Sequence, residues 1–393
     1  MTTTGSTGYG GGSAPNETIG ARIVAAVRLL AEQGIGEPRE NAERLMMHLL
    51  GADRARLLMD WGEPLPADSA EAWRALVARK AAGEPLQYIV GEQWFYGLPY
   101  AVTPAVLIPR PETELLVEAV LEAADRLWPG AAEADAALTG PAADSPVAAV
   151  NGAAAEKAAS PAARGTAAGL GAHGALEAAA APDLAGAAQE AASGAGEAAP
   201  GSFARGAVPT VLDVGTGSGA IAVTLAALRP AWRVFASDLS PDALEVARAN
   251  AARHGAAPRM RFAQGDLLAP FLARREEEAG AAGGDGLAGL RIDVLVSNPP
   301  YIPARDIEDL QTEVRDYEPR LALDGGEDGL NPYRAIVAQL PKLAALPRIV
   351  AFELGMGQAD AVADMLRGLG AWSDIRIIRD YGGIDRHVIA VAP

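Results

Sequence analysis

The 393-residue sequence contains no cysteine. Disulfide bonds and thiolate metal sites are therefore excluded, together with the small scaffolds that depend on them. Histidine is also scarce: the chain has 4, at positions 48, 173, 254 and 387, and none falls in a motif at the end of a predicted strand. The sequence consequently predicts no metal centre.

Long hydrophobic runs are missing as well. No uninterrupted apolar stretch approaches the roughly 20 residues that a membrane-spanning helix needs. The first residues lack the charged segment and apolar core that are typical of a secretory signal. We therefore expect a soluble, cytoplasmic protein with no membrane partner.

Basic residues are outnumbered: 33 Lys and Arg face 50 Asp and Glu, for a formal net charge of −17. Proteins that grip phosphate backbones usually carry clusters of Lys and Arg, and none appears here. This balance favours a protein or small-molecule substrate over duplex nucleic acid. The alternative, that the charge serves only solubility, stays open at this stage.

Composition divides the chain into five segments. Residues 1–16 are rich in Gly, Ser and Thr and are predicted to be a disordered tail. Three apolar stripes at helical spacing predict a small helical bundle over 17–90, either a docking module for a partner or a stabilising cap. A hairpin and a linker helix are expected over 91–129. Residues 130–206 form an Ala/Gly-rich, low-complexity insertion that cannot bury a core, and 207–393 form the last domain.

Strands and helices alternate through that last domain. The rhythm predicts an α/β fold with a doubly wound, mainly parallel Rossmann-like sheet and an antiparallel hairpin at its edge. Apolar, β-branched runs place the predicted strands at residues 211–214, 233–237, 260–263, 294–297, 349–354, 375–378 and 387–391.

A glycine-rich turn follows the first of these strands, Asp213-Val214-Gly215-Thr216-Gly217-Ser218-Gly219. Its three glycines let the backbone turn sharply and come close to a ligand. The spacing also fits a dinucleotide-binding loop, and such short glycine patterns are ambiguous on their own.

Acidic residues follow the next two strands, and they sharpen the prediction. Asp238 can accept hydrogen bonds from ribose hydroxyls, and Asp266 can meet the adenine amine with Leu267 against the ring. Asp266 is alternatively a turn or helix-capping residue. Taken in series, the acids predict an adenosine site. S-adenosylmethionine fits better than NAD, because NAD chemistry usually needs a proton-handling side chain near the hydride and none is in place.

The tetrapeptide Asn298-Pro299-Pro300-Tyr301 follows a buried strand and is the most informative motif of the chain. Two consecutive prolines end the strand, because neither has an N–H to donate and each fixes φ. The Asn298 side-chain oxygen and the Pro299 carbonyl can then accept both hydrogens of an NH2 group, with Tyr301 packed on its face. Such a clamp suits an amide or an aromatic amine.

With these motifs and three others, at 83–89, 107–114 and 314–319, the chain resembles a HemK/PrmC-type release factor glutamine methyltransferase. The resemblance covers residues from about 19 to 391 except the insertion. It implies methyl transfer from S-adenosylmethionine to the glutamine side-chain amide in the Gly-Gly-Gln motif of class 1 peptide chain release factors. A monomer is the default expectation.

The resemblance also implies site roles. On the cofactor it places Asp238 at the ribose, Asp266 with Leu267 at the adenine (a position often aromatic in relatives), and a loop along the methionine and ribose formed by Gly215, Thr216, Gly217, Ser218 and Gly219. The glutamine amide is expected at Asn298, in a pocket completed by Pro299, Pro300 and Tyr301. Asn298 is also expected to contact the cofactor. Arg110 and Glu112 are expected to close the roof of the site, and Arg315 and Glu318 to order the loop beyond the tetrapeptide. Alternatively, these four residues form ion pairs that only hold a loop in place.

Two other functions compete with this hypothesis. An N6-adenine DNA or RNA methyltransferase would hold an adenine amine in the same clamp, although the acidic charge counts against it. An adaptor that keeps the fold and binds a translation factor without chemistry would have no need for both ends of a catalytic site.

Overall fold

The computed structural model describes residues 17–131, 134, 135, 138, 208–272 and 287–392, which fall into two compact units with their boundary between Val90 and Gly91. The predicted tail, 1–16, lies outside the described residues. So does the predicted insertion, 130–206, apart from the five residues just given at its start. Within the described ranges, no helix is long and apolar enough to cross a membrane.

The first unit is helical, as its apolar stripes predict. Thr18 and Asp53 cap two of the helices, each accepting a hydrogen bond from a main-chain N–H of the first turn. Leu30, Leu45 and Trp73 pack in a shared core. The helices are α1 (Ile19–Glu32), α2 (Pro38–Leu50), α3 (Arg54–Met59), α4 (Ser69–Ala81) and α5 (Leu86–Val90).

The second unit opens with the predicted hairpin, in which β1 (Glu92–Phe95) pairs antiparallel with β2 (Leu98–Ala101). Helix α6 (Glu112–Leu127) follows, within the segment 91–129 where a linker helix is expected. Pro111 has the φ that a helix needs, and the acidic residues of the first turn suit the positive end of the helix dipole. Thr113 is consequently helical and buried, which matters for the site.

A seven-stranded sheet forms the body of the second unit, in the order β5-β4-β3-β6-β7-β9-β8. All neighbours are parallel except β9, which runs antiparallel to both β7 and β8. The predicted fold class is confirmed, including the antiparallel hairpin at the edge. The strands are β3 (Thr210–Val214), β4 (Arg233–Asp238), β5 (Met260–Gln264), β6 (Val294–Ser297), β7 (Ile349–Glu353), β8 (Asp374–Arg379) and β9 (Asp385–Val391).

Helices cover both faces of the sheet, which is why its central strands are almost entirely apolar. Val211 of β3 packs in one core cluster with α6, and the next residue, Leu212, packs in another on the opposite face. The remaining helices of the unit are α7 (Ala220–Leu228), α8 (Pro241–Arg253), α9 (Thr312–Arg315), α10 (Asn331–Gln339) and α11 (Ala359–Arg367). With both faces packed, the carboxyl ends of the strands are held rigidly.

Candidate active site

The candidate site lies where the strand order reverses. From β3 the chain continues to β4 on one side, while β6 pairs with β3 on the other side. In open α/β sheets, the crevice at such a switch point binds ligands. Ser297 ties the two central strands together here, because its hydroxyl donates a hydrogen bond of 2.6 Å to the Val214 carbonyl. The glycine loop and the tetrapeptide thus emerge side by side.

The glycine loop has the backbone that its composition predicts. Gly215 and Gly217 have φ of +70° and +55°, in the left-handed region that favours glycine, and a Cβ on either would meet no atom within 4 Å. Their outer side is therefore open to a ligand. Gly219 differs, because a Cβ there would lie 3.2 Å from the Ala247 methyl. It lets α7 and α8 pack closely.

Asp213 supports this loop from below. Its carboxylate accepts hydrogen bonds from the Thr216 hydroxyl at 2.7 Å and from the Ala222 amide at 3.2 Å. Burial raises the pKa of Asp213 to about 7, and these hydrogen bonds offset the rise only partly. Thr216 and Ser218 are both buried. Their predicted role in lining the cofactor stays a prediction.

Asp238 ends β4 beside the loop, as its place in the sequence predicts. Its two carboxylate oxygens accept hydrogen bonds of 2.9 Å from the main-chain amides of Gly217 and Ser240. Burial raises its pKa, and the hydrogen bonds act in the opposite direction. A carboxylate has about four acceptor positions, so the group holds the loop and keeps some capacity to accept from a ligand hydroxyl.

Asp266 follows β5 and is exposed. In the described part of the chain, its carboxylate accepts no hydrogen bond from another residue. Leu267, which follows it, has φ of +50° and is half-buried. Gln339 of α10 holds this turn, because its side-chain oxygen accepts a hydrogen bond of 2.9 Å from the Leu268 amide. No motif in the sequence marks Gln339.

Asn250 is another supporting residue that lies outside the sequence motifs. It lies fully buried in α8, and its side-chain amide bonds the Ser218 carbonyl at 2.8 Å and both main-chain groups of Ala101 at 2.8 and 3.0 Å. Asn250 therefore couples the glycine loop to the hairpin. An amide among alanines inside a helix was the signal available in the sequence.

The tetrapeptide begins directly after β6. Asn298 lines a small recess whose wall is mostly apolar, and Pro299, the next residue, is buried. Within the described residues, neither the Asn298 side-chain oxygen nor the Pro299 carbonyl accepts a hydrogen bond. Both remain available as acceptors. The recess is lined by Leu107, Arg110, Asn298, Tyr301, Ile302, Val314, Ala322 and Leu323.

Tyr301 forms part of the recess wall and is half-buried. Burial raises its pKa to about 12, and the nearby negative charge of Glu353 adds to the rise. The phenol therefore keeps its proton at neutral pH and cannot act as a base. No histidine is among the residues that line the recess.

The four charged residues expected near the site, Arg110, Glu112, Arg315 and Glu318, lie in different environments. Arg110 pairs with Glu318 at 2.5 Å, and the Glu318 side chain is only 2% exposed. Burial raises the pKa of Glu318, and the Arg110 charge partly offsets the rise. Arg315 instead pairs with its neighbour Asp316 at the surface. Glu112 is half-buried at the first residue of α6. Only Arg110 of the four lines the recess.

The comparisons with known proteins agree with this geometry. Two protein-family models match the sequence, the PrmC N-terminal domain over residues 23–91 and a methyltransferase domain over residues 211–279. The release factor glutamine methyltransferase of Moorella thermoacetica is 36% identical over 95% of this chain and 98% of its own length. The chain belongs to the release factor glutamine methyltransferase family. It is a methyltransferase.

Other relatives that bear this family name match over similar lengths. Those of Chlorobaculum tepidum and Geobacter sulfurreducens are each 36% identical, over 94% and 91% of this chain and 96% and 91% of their own lengths. Likeness to solved structures is weaker. TrmN from Thermus thermophilus is 23% identical, covers 48% of this chain and 45% of its own, and gives a TM-score of 0.29, too low to bear on fold or function.

Proposed function

We propose that this family member transfers a methyl group from S-adenosylmethionine to the side-chain amide nitrogen, N5, of the glutamine in the Gly-Gly-Gln motif of class 1 peptide chain release factors. The observation that carries the proposal is Asn298 in the wall of an apolar recess, where its side-chain oxygen accepts no hydrogen bond from the described residues. The Pro299 carbonyl, on the next residue, is the second acceptor that the proposal uses. Family membership supports the same substrate.

The residues beside the crevice fit S-adenosylmethionine. The outer side of Gly215 and Gly217 is open, so a cofactor can lie against the bare backbone. Asp238 has some capacity to accept from a ribose hydroxyl, and the exposed Asp266 carboxylate can accept from the adenine amine. When bound, S-adenosylmethionine supplies a methyl group on a positively charged sulfur, which an amide nitrogen can displace.

The chain's own contribution is orientation and electrostatics. An amide nitrogen attacks poorly, because its lone pair is delocalised into the carbonyl. Two acceptors that hold both hydrogens of the NH2 group fix the nitrogen's direction, and well-oriented reactants can save about 7–11 kcal/mol of barrier. Asn298 and Pro299 also stabilise the positive charge that develops on the nitrogen.

No general base is required from the chain. The amide N–H becomes acidic once the carbon–nitrogen bond has formed and the carbon–sulfur bond has broken, so its proton can leave to water. Tyr301 stays protonated, with its pKa raised to about 12. The apolar wall of the recess suits the aliphatic stem of a glutamine.

An N6-adenine methyltransferase is not favoured, because the relatives that match over nearly the whole chain bear the release factor name. Labelled S-adenosylmethionine separates the two substrates when the wild-type protein meets an unmethylated release factor or a nucleic acid. We expect label in the release factor alone. Label in the nucleic acid alone would overturn the proposal. A cytoplasmic, monomeric state without a nucleic-acid partner stays a prediction.

A further inference from the structure

Three buried or half-buried side chains form a hydrogen-bonded chain that ends at Asn298. The Thr113 hydroxyl, in the first turn of α6, donates a hydrogen bond of 2.6 Å to the Glu353 carboxylate. The Asn298 side-chain nitrogen lies 3.4 Å from the same Thr113 oxygen and donates to it. Thr113 and Glu353 are 4% and 1% exposed, so water does not compete for these bonds.

The direction of donation along this hydrogen-bonded chain decides which way the Asn298 amide faces. A threonine hydroxyl has one proton, and an ionised carboxylate can only accept. The 2.6 Å separation is typical of a hydroxyl that donates to a charged carboxylate. Thr113 therefore turns a lone pair toward Asn298, which must present its NH2 group. The reversed amide would bring two acceptor oxygens together.

Glu353 is well placed to act as the fixed end of the chain. It is the last residue of β7, between β6 and β9 in the sheet. Its main-chain carbonyl accepts a hydrogen bond of 2.7 Å from the Tyr333 hydroxyl, and its carboxylate lies 3.8 Å from Nε2 of the buried His387 on β9. A carboxylate on a central strand is held more rigidly than one on a loop.

We propose that Thr113 and Glu353 are positioning residues that lock the Asn298 amide with its oxygen directed at the incoming glutamine. This inference rests on the proposed function. It also explains a choice of substrate. The Asn298 oxygen, directed at the substrate, accepts a hydrogen bond from the NH2 group of glutamine and repels the carboxylate of glutamate. Neither Thr113 nor Glu353 needs to touch the substrate.

The test compares two substitutions of one residue. Thr113→Val keeps the shape of the side chain and removes the hydroxyl, whereas Thr113→Ser keeps the hydroxyl. We expect Thr113→Val to lower kcat for methyl transfer to the release factor about 10- to 100-fold, the loss of one hydrogen bond within a charged network. Thr113→Ser should stay within about threefold of wild type, and both variants should bind S-adenosylmethionine like wild type.

A purely structural role gives a different pattern. Equal kcat values for the valine variant and wild type, at a temperature where both are folded, would overturn the inference. So would a serine variant as impaired as the valine variant. If Glu353 and Thr113 fix the orientation of the Asn298 amide, the valine variant loses its selection against glutamate. A release factor with glutamate at the target position should then inhibit Thr113→Val better than it inhibits the wild-type enzyme.

A neutron crystal structure of the wild-type protein tests the inference without any substrate. It should show the Thr113 deuteron on the line to Glu353 and the Asn298 Nδ2 group facing Thr113. A Thr113 deuteron directed at Asn298 would contradict it. If the wild-type enzyme fails to methylate any release factor, the proposed function fails, and the neutron map still decides the orientation of Asn298.

Discussion

The Gln358 side chain donates a hydrogen bond of 2.9 Å to the main-chain carbonyl of Tyr301. Its oxygen accepts a hydrogen bond of 2.8 Å from the Gly355 amide, so one buried side chain joins the end of the tetrapeptide to the turn after β7. This contact lies on the side of the site that holds Asn298 and Tyr301, here called the acceptor side. Gln339 has the corresponding place on the cofactor side, where it holds the turn of Asp266 and Leu267 through the Leu268 amide.

The two glutamines should therefore have separable effects. Gln358→Met leaves the Tyr301 carbonyl and the Gly355 amide without their partner and also removes a longer contact, 3.5 Å, to the Asp328 carbonyl. The expected cost is about 1–3 kcal/mol. We expect a kcat/KM for the release factor about tenfold lower, because a tenfold change corresponds to about 1.4 kcal/mol. The Kd for S-adenosylmethionine, from calorimetry, should not change.

Gln339→Met is the matched control, since it removes an equivalent side-chain contact from the other turn. It should weaken S-adenosylmethionine binding about tenfold and leave kcat at saturating cofactor unchanged. If both variants lose cofactor affinity equally, or both lose only turnover, the division of the crevice into a cofactor side and an acceptor side is wrong.

The Arg110–Glu318 pair should contribute to stability, because removal of Arg110 leaves the buried Glu318 charge without a partner. In Arg110→Met the Glu318 carboxylate, 2% exposed, loses its partner. We expect a loss of about 3 kcal/mol in the free energy of unfolding, the lower end for a buried pair because Arg110 is itself partly exposed. Urea titration of the apo protein measures it.

Two further variants check this explanation. Arg110→Met combined with Glu318→Leu removes both charges and should recover most of the lost stability. Arg315→Met breaks the exposed pair with Asp316 and should leave the unfolding free energy unchanged within error. A double variant less stable than Arg110→Met alone would show that the pair acts through something other than an isolated charge.

Asp213 should make the stability of the protein fall as pH rises. Its pKa is about 7 in the folded chain against an ordinary value of 3.8. Between these values the folded protein holds a proton that the unfolded chain has lost, so unfolding releases it. Stability then falls by up to about 1.4 kcal/mol per pH unit and levels off above the folded pKa.

Asp213→Asn removes this titration and isolates its effect. The unfolding free energy of the variant minus that of wild type should be more positive at about pH 8 than at about pH 5. Urea unfolding curves of both proteins at the two pH values measure this difference. The comparison cancels the other titrating groups, which both proteins share. A constant difference between the two proteins across this range would show that Asp213 is ionised in the folded state throughout.

Much of the fold and part of the site follow from local sequence. The apolar run before Asn298 predicts a strand over 294–297, and the structure has β6 at Val294–Ser297. Glycines and prolines act on their own backbone, so the open turn at Gly215 and the strand end at Pro299 are also readable. These features depend on residues adjacent in the chain.

The supporting contacts could not be predicted, because they join distant residues. Thr113 and Glu353 are 240 residues apart, and Arg110 and Glu318 are 208 apart. Nothing local marks such pairs. Glu353 had one usable signal, a charged residue at the end of an otherwise apolar strand. A buried carboxylate needs a partner, so that position called for a search among polar residues near the site.

Mass spectrometry of a release factor, after incubation with S-adenosylmethionine and either the wild-type protein or Asn298→Ala, tests the central claim most directly. The wild type should add one methyl group to the glutamine of the Gly-Gly-Gln peptide. Asn298→Ala should add none while its Kd for S-adenosylmethionine stays within about threefold of wild type. Near-normal methylation of that glutamine by Asn298→Ala, or a wild-type methyl group on any other residue, would contradict the account.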